Sequence, residues 1–425
     1  MKFKLFFLGC KVNAYEIDSI RVLLTKKGLI EAKKDENTDV IVINTCSVTS
    51  VADKKSRQMI HKYRIEQPKA ILCVIGCFTQ GISSNIDFPF EADIILGNKN
   101  KSALYDKIEE FLKNKERIVD IDHDNRSFTY DNMPSIQFSE KTRAYVKIQD
   151  GCDNFCSYCL IPFVRGKSRS REPQYIIEEI KDLIKNGYKE IVFTGIDVAS
   201  YGKDLKEQIS FSDLLEKILE IDENNTIIRI SSIEESMIDD KFINLIEKDQ
   251  RIARHMHLSL QSGSNYILKK MNRKYTTEEY LEKLRRLQTA VPDINITTDV
   301  IVGFPGETEE NFVETLNFVK TCGFSHIHVF PYSVRKGTAA AVFPNQIDTN
   351  IKKDRVKRLI TLGDELKETY INKFIGQEME VLIECCISDN IYTGHTSNFL
   401  EVMVNSPTNI IGEVVKTTIN FDNVK

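Results

Sequence analysis

Three cysteines stand close together in the stretch GCDNFCSYC: Cys152, Cys156 and Cys159, in a C-x3-C-x2-C spacing. A loop this short can wrap three thiolates around three irons of a 4Fe-4S cubane. With no fourth cysteine nearby, one iron stays open for a substrate. Zinc is the competing tenant, but it wants four ligands and the next cysteine is Cys322. Three further cysteines, Cys10, Cys46 and Cys77, each close an apolar run of strand length, in KFKLFFLGC, DVIVINTC and AILCVIGC. Thiols delivered by successive strand ends suggest a second metal or redox site.

The elements needed to position these thiols can be read from the intervening pattern. Helix-like stretches from Asn13 to Lys27 and from Val51 to Glu66 separate the first three apolar runs. Strand, helix, strand, helix, strand implies parallel strands with right-handed crossovers, which places all three cysteines at the carboxyl edge of an open α/β sheet. A fourth strand, ADIILGN, and a helix, KSALYDKIEEFLKNK, complete a unit expected over 1–118, and 119–139 reads as a polar linker.

From Arg143 the alternation restarts. AYVKI, EIVFTGI, TIIRISSI, HMHLSL, INITTDVIVGF and HIHVFPY read as six strands separated by helices, an incomplete (β/α)6 barrel over 140–371. Barrel chemistry sits at the C-terminal strand ends, and those ends are polar and glycine-rich here. After a helix near Ile351 to Phe374, the pattern becomes short alternating strands, a small β-barrel over 372–425. The fold class is therefore α/β with an all-β C-terminal unit.

Composition narrows the function classes. A chain of 425 residues suits two or three domains, and it holds no apolar run long enough to cross a membrane. MKFKLFFLGC imitates a lipoprotein signal, but its apolar core is too short, so the chain reads as cytoplasmic. Ten cysteines in a reducing compartment point to ligands and buried thiols rather than disulfides. The net charge of -4 does not advertise a nucleic-acid partner, although Lys141 to Arg171 holds seven Lys or Arg against Asp150 and Asp153.

On these motifs the chain resembles the radical S-adenosylmethionine (SAM) enzymes, and among them the methylthiotransferases. The resemblance covers nearly the whole chain: a three-cysteine N-terminal domain, a radical SAM partial barrel and a C-terminal TRAM domain. It implies that Cys10, Cys46 and Cys77 hold a second 4Fe-4S cluster with its own open iron. SAM would bind the open iron of the Cys152, Cys156 and Cys159 cluster, and one electron would cleave it to a 5'-deoxyadenosyl radical. That radical would remove a hydrogen atom from an adenine carbon, which a methylthio group then replaces. The SAM site would lie among Thr194, Gly195, Ser232, Glu234, Gln261 and Gly303.

LGCKVNAYE and ADKKSRQ resemble the branch acting on N6-threonylcarbamoyladenosine beside the tRNA anticodon, where the isopentenyladenosine branch usually has Gln-Met in place of Lys11 and Val12. Lys11, next to Cys10, can pair with the threonylcarbamoyl carboxylate. The partners implied are the tRNA anticodon stem-loop and an electron donor such as a flavodoxin or ferredoxin, with the sulfur source open. A ribosomal protein aspartate as target and a non-catalytic iron-sulfur scaffold are the competing readings.

Weaker signals carry bland alternatives. VRGKSRSRE places Arg165, Lys167, Arg169 and Arg171 on one face if extended, either a solvated charge run or a track for the tRNA backbone. Cys73, Cys322, Cys385 and Cys386 read as core or buried thiols. His255 with His257, and His326 with His328, can bind metal or serve packing and hydrogen bonding. The C-terminal unit is unexpectedly acidic for an RNA binder, with three lysines against seven acids from Asn372 to Lys425, which leaves aromatic contacts through Tyr392 and Phe399.

Overall fold

The strand Val40–Thr45 is buried on both faces along its whole length, as a central strand of a parallel sheet must be. In a computed structural model describing residues 1–33, 35–82, 90–124, 129–134, 142–221 and 226–425, it lies inside a six-stranded sheet. That sheet is built from β1 (Lys2–Phe7), α1 (Lys11–Lys26), β2 (Ile30–Glu31), β3 (Val40–Thr45), α2 (Ser50–Glu66), β4 (Ile71–Gly76), α3 (Cys77–Gln80), β5 (Ile94–Leu96), α4 (Leu104–Asn114) and β6 (Ile118–Asp120). All its pairs are parallel and the order is β2-β1-β3-β4-β5-β6. The order reverses between β1 and β3, so the crevice beyond their carboxyl ends is the switch point where such sheets bind ligands. Cys10 and Cys46 follow these two strands. The sheet extends past the expected boundary at 118, because Ile118–Asp120 pairs with β5 as its edge. The linker stretches 125–128 and 135–139 lie outside the described residues.

The six expected barrel strands are present. They are β7 (Arg143–Lys147), β10 (Glu190–Thr194), β11 (Ile227–Ile230), β12 (His255–His257), β13 (Asn295–Val302) and β14 (His326–Pro331). A two-residue ribbon, β8 (Gln149–Asp150) with β9 (Arg169–Ser170), flanks the cysteine loop. Around the strands lie α5 (Ile161–Val164), α6 (Pro173–Lys185), α7 (Phe211–Leu219), α8 (Asp240–Lys248), α9 (Asn265–Lys270), α10 (Thr277–Ala290), α11 (Glu309–Cys322) and α12 (Thr349–Asn372). Parallel pairing runs β7-β10-β11 and β12-β13-β14, and single bridges Ile228–Ile252 and Ile233–Leu258 join the two halves. Among the described residues no pairing joins β7 to β14, so the barrel is open there. Helix α1 of the first unit packs against β7, and its Tyr15 belongs to the barrel's apolar core.

The C-terminal unit is an antiparallel half-barrel, not a closed one, of β15 (Glu378–Ser388), β16 (Ile391–Thr396), β17 (Glu401–Asn405) and β18 (Val414–Thr418). Its turn after β16 plugs the amino-terminal end of the barrel. There Asn295 donates to the Asn398 carbonyl at 2.7 Å and Arg143 pairs with Glu384 at 2.8 Å. Part of the acidic surplus is thus spent on docking. Tyr392 lies in this unit's own core, and Phe399 is stacked between His255 and His395, so the expected aromatic RNA contacts are internal packing. Cys385 and Cys386 correct another expectation: they are exposed, at the irregular end of β15, whereas Cys73 and Cys322 are buried.

Candidate functional site

The switch-point crevice is laced together by the residues that end β1, β3 and β4. Asn13 donates to the carbonyls of Leu8 at 2.7 Å and Thr45 at 3.1 Å, tying the strand ends that carry Cys10 and Cys46. The Thr45 hydroxyl donates to the Ile75 carbonyl at 2.6 Å, joining in the end that carries Cys77. This is why the apolar strand runs out into Asn-Thr-Cys. Gly9 has φ +97°, and a Cβ there would lie 2.5 Å from Cys46 Sγ, so only glycine leaves that thiol its space. The three thiols perturb one another electrostatically. Burial pushes the Cys46 thiol up to about 11, with Cys77 and Cys10 adding to the shift. Three thiols within electrostatic reach of one another, Cys46 and Cys77 buried and Cys10 half-buried, suit a cluster held by three cysteines.

The second triad sits at the carboxyl end of β7. Backbone N–H groups of Asn154 and Ile161 donate to Cys152 Sγ and Cys159 Sγ at 3.5 and 3.4 Å, and Arg273 donates to Cys156 Sγ at 3.6 Å. These donors suit thiolates bound to iron rather than neutral thiols. Burial raises the Cys159 thiol to about 11 against the Ile161 N–H, which lowers it; Cys77 also adds to the rise, so the two triads lie within electrostatic reach of each other.

A small cavity beside this loop is lined by Cys156, Asp197, Glu234 and Arg273. Asp197 is buried with one carboxylate oxygen lacking a partner, and burial raises Glu234 to about 7 although Arg273 pairs with it. An open acceptor and an adjustable carboxylate fit the ammonium and ribose groups of SAM.

The other expected SAM residues are placed less directly. Thr194 ends β10 and Gly195 follows it, in a turn held by Gln149, whose Oε1 accepts from Asp197 N at 2.8 Å. Ser232 lies 3.4 Å from Ser259 on neighbouring strand ends, and Gln261 adopts φ +71°. The space above Gly303 is taken by the Lys352 side chain.

Arg165 and Arg169 correct the expectation of a tRNA track. Both are buried: Arg165 bonds Cys77, Glu16, Asp150 and Asn13, and Arg169 bonds Asp150 and the Arg165 carbonyl. Arg171 likewise pairs with Glu179. Buried carboxylates, invisible as partners in the linear chain, claim these cations. A second tie between the units is Arg335, which donates to Asp53 at 2.7 Å and to the Ser47 carbonyl at 3.0 Å. Asn13, Glu16, Asp150, Asp197, Arg273 and Arg335 were not assigned from the sequence; the adjacency of Asn13 and Glu16 to Cys10 was the available signal.

Lys11 begins α1 and is exposed to solvent. It borders a cavity of about 340 Å³ lined also by Arg229, His255, His257, His328 and Phe399. Although Lys11 is reached by solvent, the desolvating cavity walls, then Arg143 and Arg229, lower its pKa to about 8. The ligand atoms of His257, Asp299 and His328 gather within 4.8 Å of one another, taking one histidine from each of the two pairs read as possible metal ligands rather than either pair together. Thr297 bridges His255 and His257 at 3.3 and 3.0 Å. Arg229 is already paired with Glu190, but Lys11 and Lys367 line the same walls, and their positive charge suits an anion better than a metal cation.

Comparison with known proteins decides the family. Residues 146–319 match the Radical SAM superfamily, and residues 2–97 match the uncharacterized protein family UPF0004. The threonylcarbamoyladenosine tRNA methylthiotransferase MtaB of Bacillus subtilis is 40% identical over 97% of this chain and 92% of its own. The chain belongs to the radical SAM tRNA methylthiotransferases. A tRNA-2-methylthio-N(6)-dimethylallyladenosine synthase of Clostridium botulinum is 39% identical over 88% of this chain and 84% of its own, so identity alone hardly separates the two substrate branches. The radical SAM methyltransferase TsrM of Kitasatospora setae shares the fold, with a TM-score of 0.59 at 12% identity over 80% of this chain and 77% of its own. The methylthiotransferase uses SAM and two 4Fe-4S clusters, and no helix among its described residues is long and apolar enough to cross a membrane.

Proposed function

We propose that the enzyme methylthiolates C2 of N6-threonylcarbamoyladenosine next to the tRNA anticodon. The observation that carries this reading is Lys11. Its ammonium stands one residue from Cys10, in a cavity whose imidazoles and other cations suit a carboxylate, beside a wall of Tyr370, Ile371, Phe399 and Leu400. The names of the Bacillus subtilis and Aquifex aeolicus relatives point to the same substrate.

Cys152, Cys156 and Cys159 would hold the SAM-binding cluster, and Cys10, Cys46 and Cys77 the auxiliary one. Reductive cleavage of SAM, hydrogen-atom abstraction and sulfur supply are the chemistry that these bound groups bring. The protein's own groups orient and neutralise. Asn154, Ile161 and Arg273 donate to the first triad, Asp197 and Glu234 accept from SAM, and Lys11 pairs with the threonyl carboxylate. The turn after β16 closes the far end of the barrel, which limits water at the substrate. An anticodon stem-loop is the macromolecular partner, and a flavodoxin or ferredoxin suits the electron supply.

Nucleoside mass spectrometry of tRNA from cells with and without the gene tests the reading. Loss of 2-methylthio-N6-threonylcarbamoyladenosine, with its unthiolated parent accumulating, is the expected result. Loss of the isopentenyl form instead would refute the role given to Lys11 and leave the chemistry standing.

A further inference from the structure

Arg165 is completely buried, yet it touches neither solvent nor the SAM-side cavity. Its Nε donates to Cys77 Sγ at 3.2 Å, Nη1 donates to Glu16 at 3.1 Å and Asp150 at 3.0 Å, and Nη2 donates to Asn13 Oδ1 at 2.7 Å. Asn98 gives the same sulfur a second N–H at 3.4 Å, while also donating to the Val164 carbonyl at 2.8 Å. Cys77 thus receives two side-chain donors, and both lead back to the segment just after the other cysteine loop. Helix α5 lies between Cys159 and Arg165.

The six charged side chains grouped around Arg165 do not balance among themselves. Arg165, Arg169, Lys101 and Lys147 surround Glu16 and Asp150, and none of these side chains is more than 7% exposed. Four positive charges less two negative ones leave +2 in one contiguous buried group. A buried surplus of that kind is costly unless an anion faces it. The groups beside Arg165 able to supply one are the thiolates of Cys77 and Cys10, both within its electrostatic reach.

We propose that Arg165 sets the reduction potential of the auxiliary cluster and pins it opposite the SAM-binding cluster, acting through Cys77. The proposal rests on the reading that Cys10, Cys46 and Cys77 hold that cluster. An N–H···S bond with a full positive charge behind it stabilises the reduced, more anionic cluster. The potential is therefore higher than the thiolates alone would give. Because the same guanidinium is anchored six residues past Cys159, the bond that tunes one site also fixes its place relative to the other. Arg165 is a positioning residue here, since it acts through a ligand and not on the substrate.

The test uses the full chain carrying Cys152→Ala, Cys156→Ala and Cys159→Ala, reconstituted anaerobically so that one site can load. Its midpoint potential is read by redox titration with electron paramagnetic resonance of the reduced cluster. Arg165→Gln should move the potential to more negative values. Arg165→Lys, which keeps the charge but loses the planar fork, should move it less. Asn98→Ala removes the second donor and leaves both carboxylates paired, so it should give a smaller shift in the same direction. Should Arg165→Gln fail to fold, the other two variants decide. Full cluster loading with an unchanged potential in both Arg165→Lys and Asn98→Ala would overturn the proposal. Failure of the triple-alanine protein to bind iron before any change at Arg165 would instead remove the auxiliary site, and the proposal with it.

Discussion

Lys11 shows how much a single side chain can carry and how its environment changes the meaning of its position. Its pKa of about 8 lies in the working range of most enzymes. The substrate carboxylate is ionised throughout that range, so the pairing is present while Lys11 is protonated and is lost as pH rises through about 8. The expected kcat/KM profile therefore falls above that pH, and Lys11→Met should lower kcat/KM and remove the falling limb. Kinetics of Lys11→Met identical to wild type at every pH would refute the pairing. Gly9 gives a second residue-scale expectation. With φ +97° and no room beside Cys46, Gly9→Ala should strip the auxiliary site, lowering iron content by about half while SAM cleavage persists, as iron analysis and 5'-deoxyadenosine formation would report. The loop and the strand ends that carry the six cysteines were legible from spacing. Arg165 and Arg169 were misjudged because a cation's partner is set by which distant carboxylate shares its burial.

At the scale of elements, the alternation of apolar runs with amphipathic stretches was enough to recover the parallel sheet and the six barrel strands. β3 and β4 are buried along their whole lengths, so their continuous apolar runs had no competing amphipathic reading. The short elements escaped: β2, β6, β8 and β9 have two or three residues each, too few to show a period. Helix starts are built locally, as at Thr276, whose hydroxyl accepts from Glu279 N at 3.3 Å while the Glu279 carboxylate accepts from Thr276 N at 2.8 Å. Thr276→Ala should cost about 1 kcal/mol of stability without changing methylthiolation once folded, a combination that urea unfolding and activity assays separate.

For the whole molecule, the decisive contacts join units far apart in sequence. Phe399 stacks on His255 at 4.7 Å and on His395 at 4.3 Å, and Arg229 lies over its ring at 4.6 Å. Aromatic contacts of this kind contribute about 0.5–1.5 kcal/mol each. Phe399→Ala should therefore loosen the plug, raising amide exchange at 396–400 and 255–257 by roughly tenfold or more while the β15–β18 sheet stays protected. Equal protection in both proteins would show that the turn is held without its ring. The acidity of the half-barrel, puzzling in the linear chain, follows partly from this docking, where Glu384 serves Arg143 and His395.

By itself the sequence determined what is local or periodic: the two cysteine triads, the strand ends that carry them, the order of the elements, and through these the family and its cofactors. These properties depend on residue type and near-neighbour spacing, which a linear chain displays directly. The tertiary structure alone decided which charges face one another. It withdrew Arg165 and Arg169 from the surface, turned Phe399 inward, and set Lys11 of the first helix beside a cavity lined by the barrel of another unit. Burial and Coulomb pairing act between groups more than a hundred residues apart, such as Arg165 and Glu16, and no pattern along the chain records that distance.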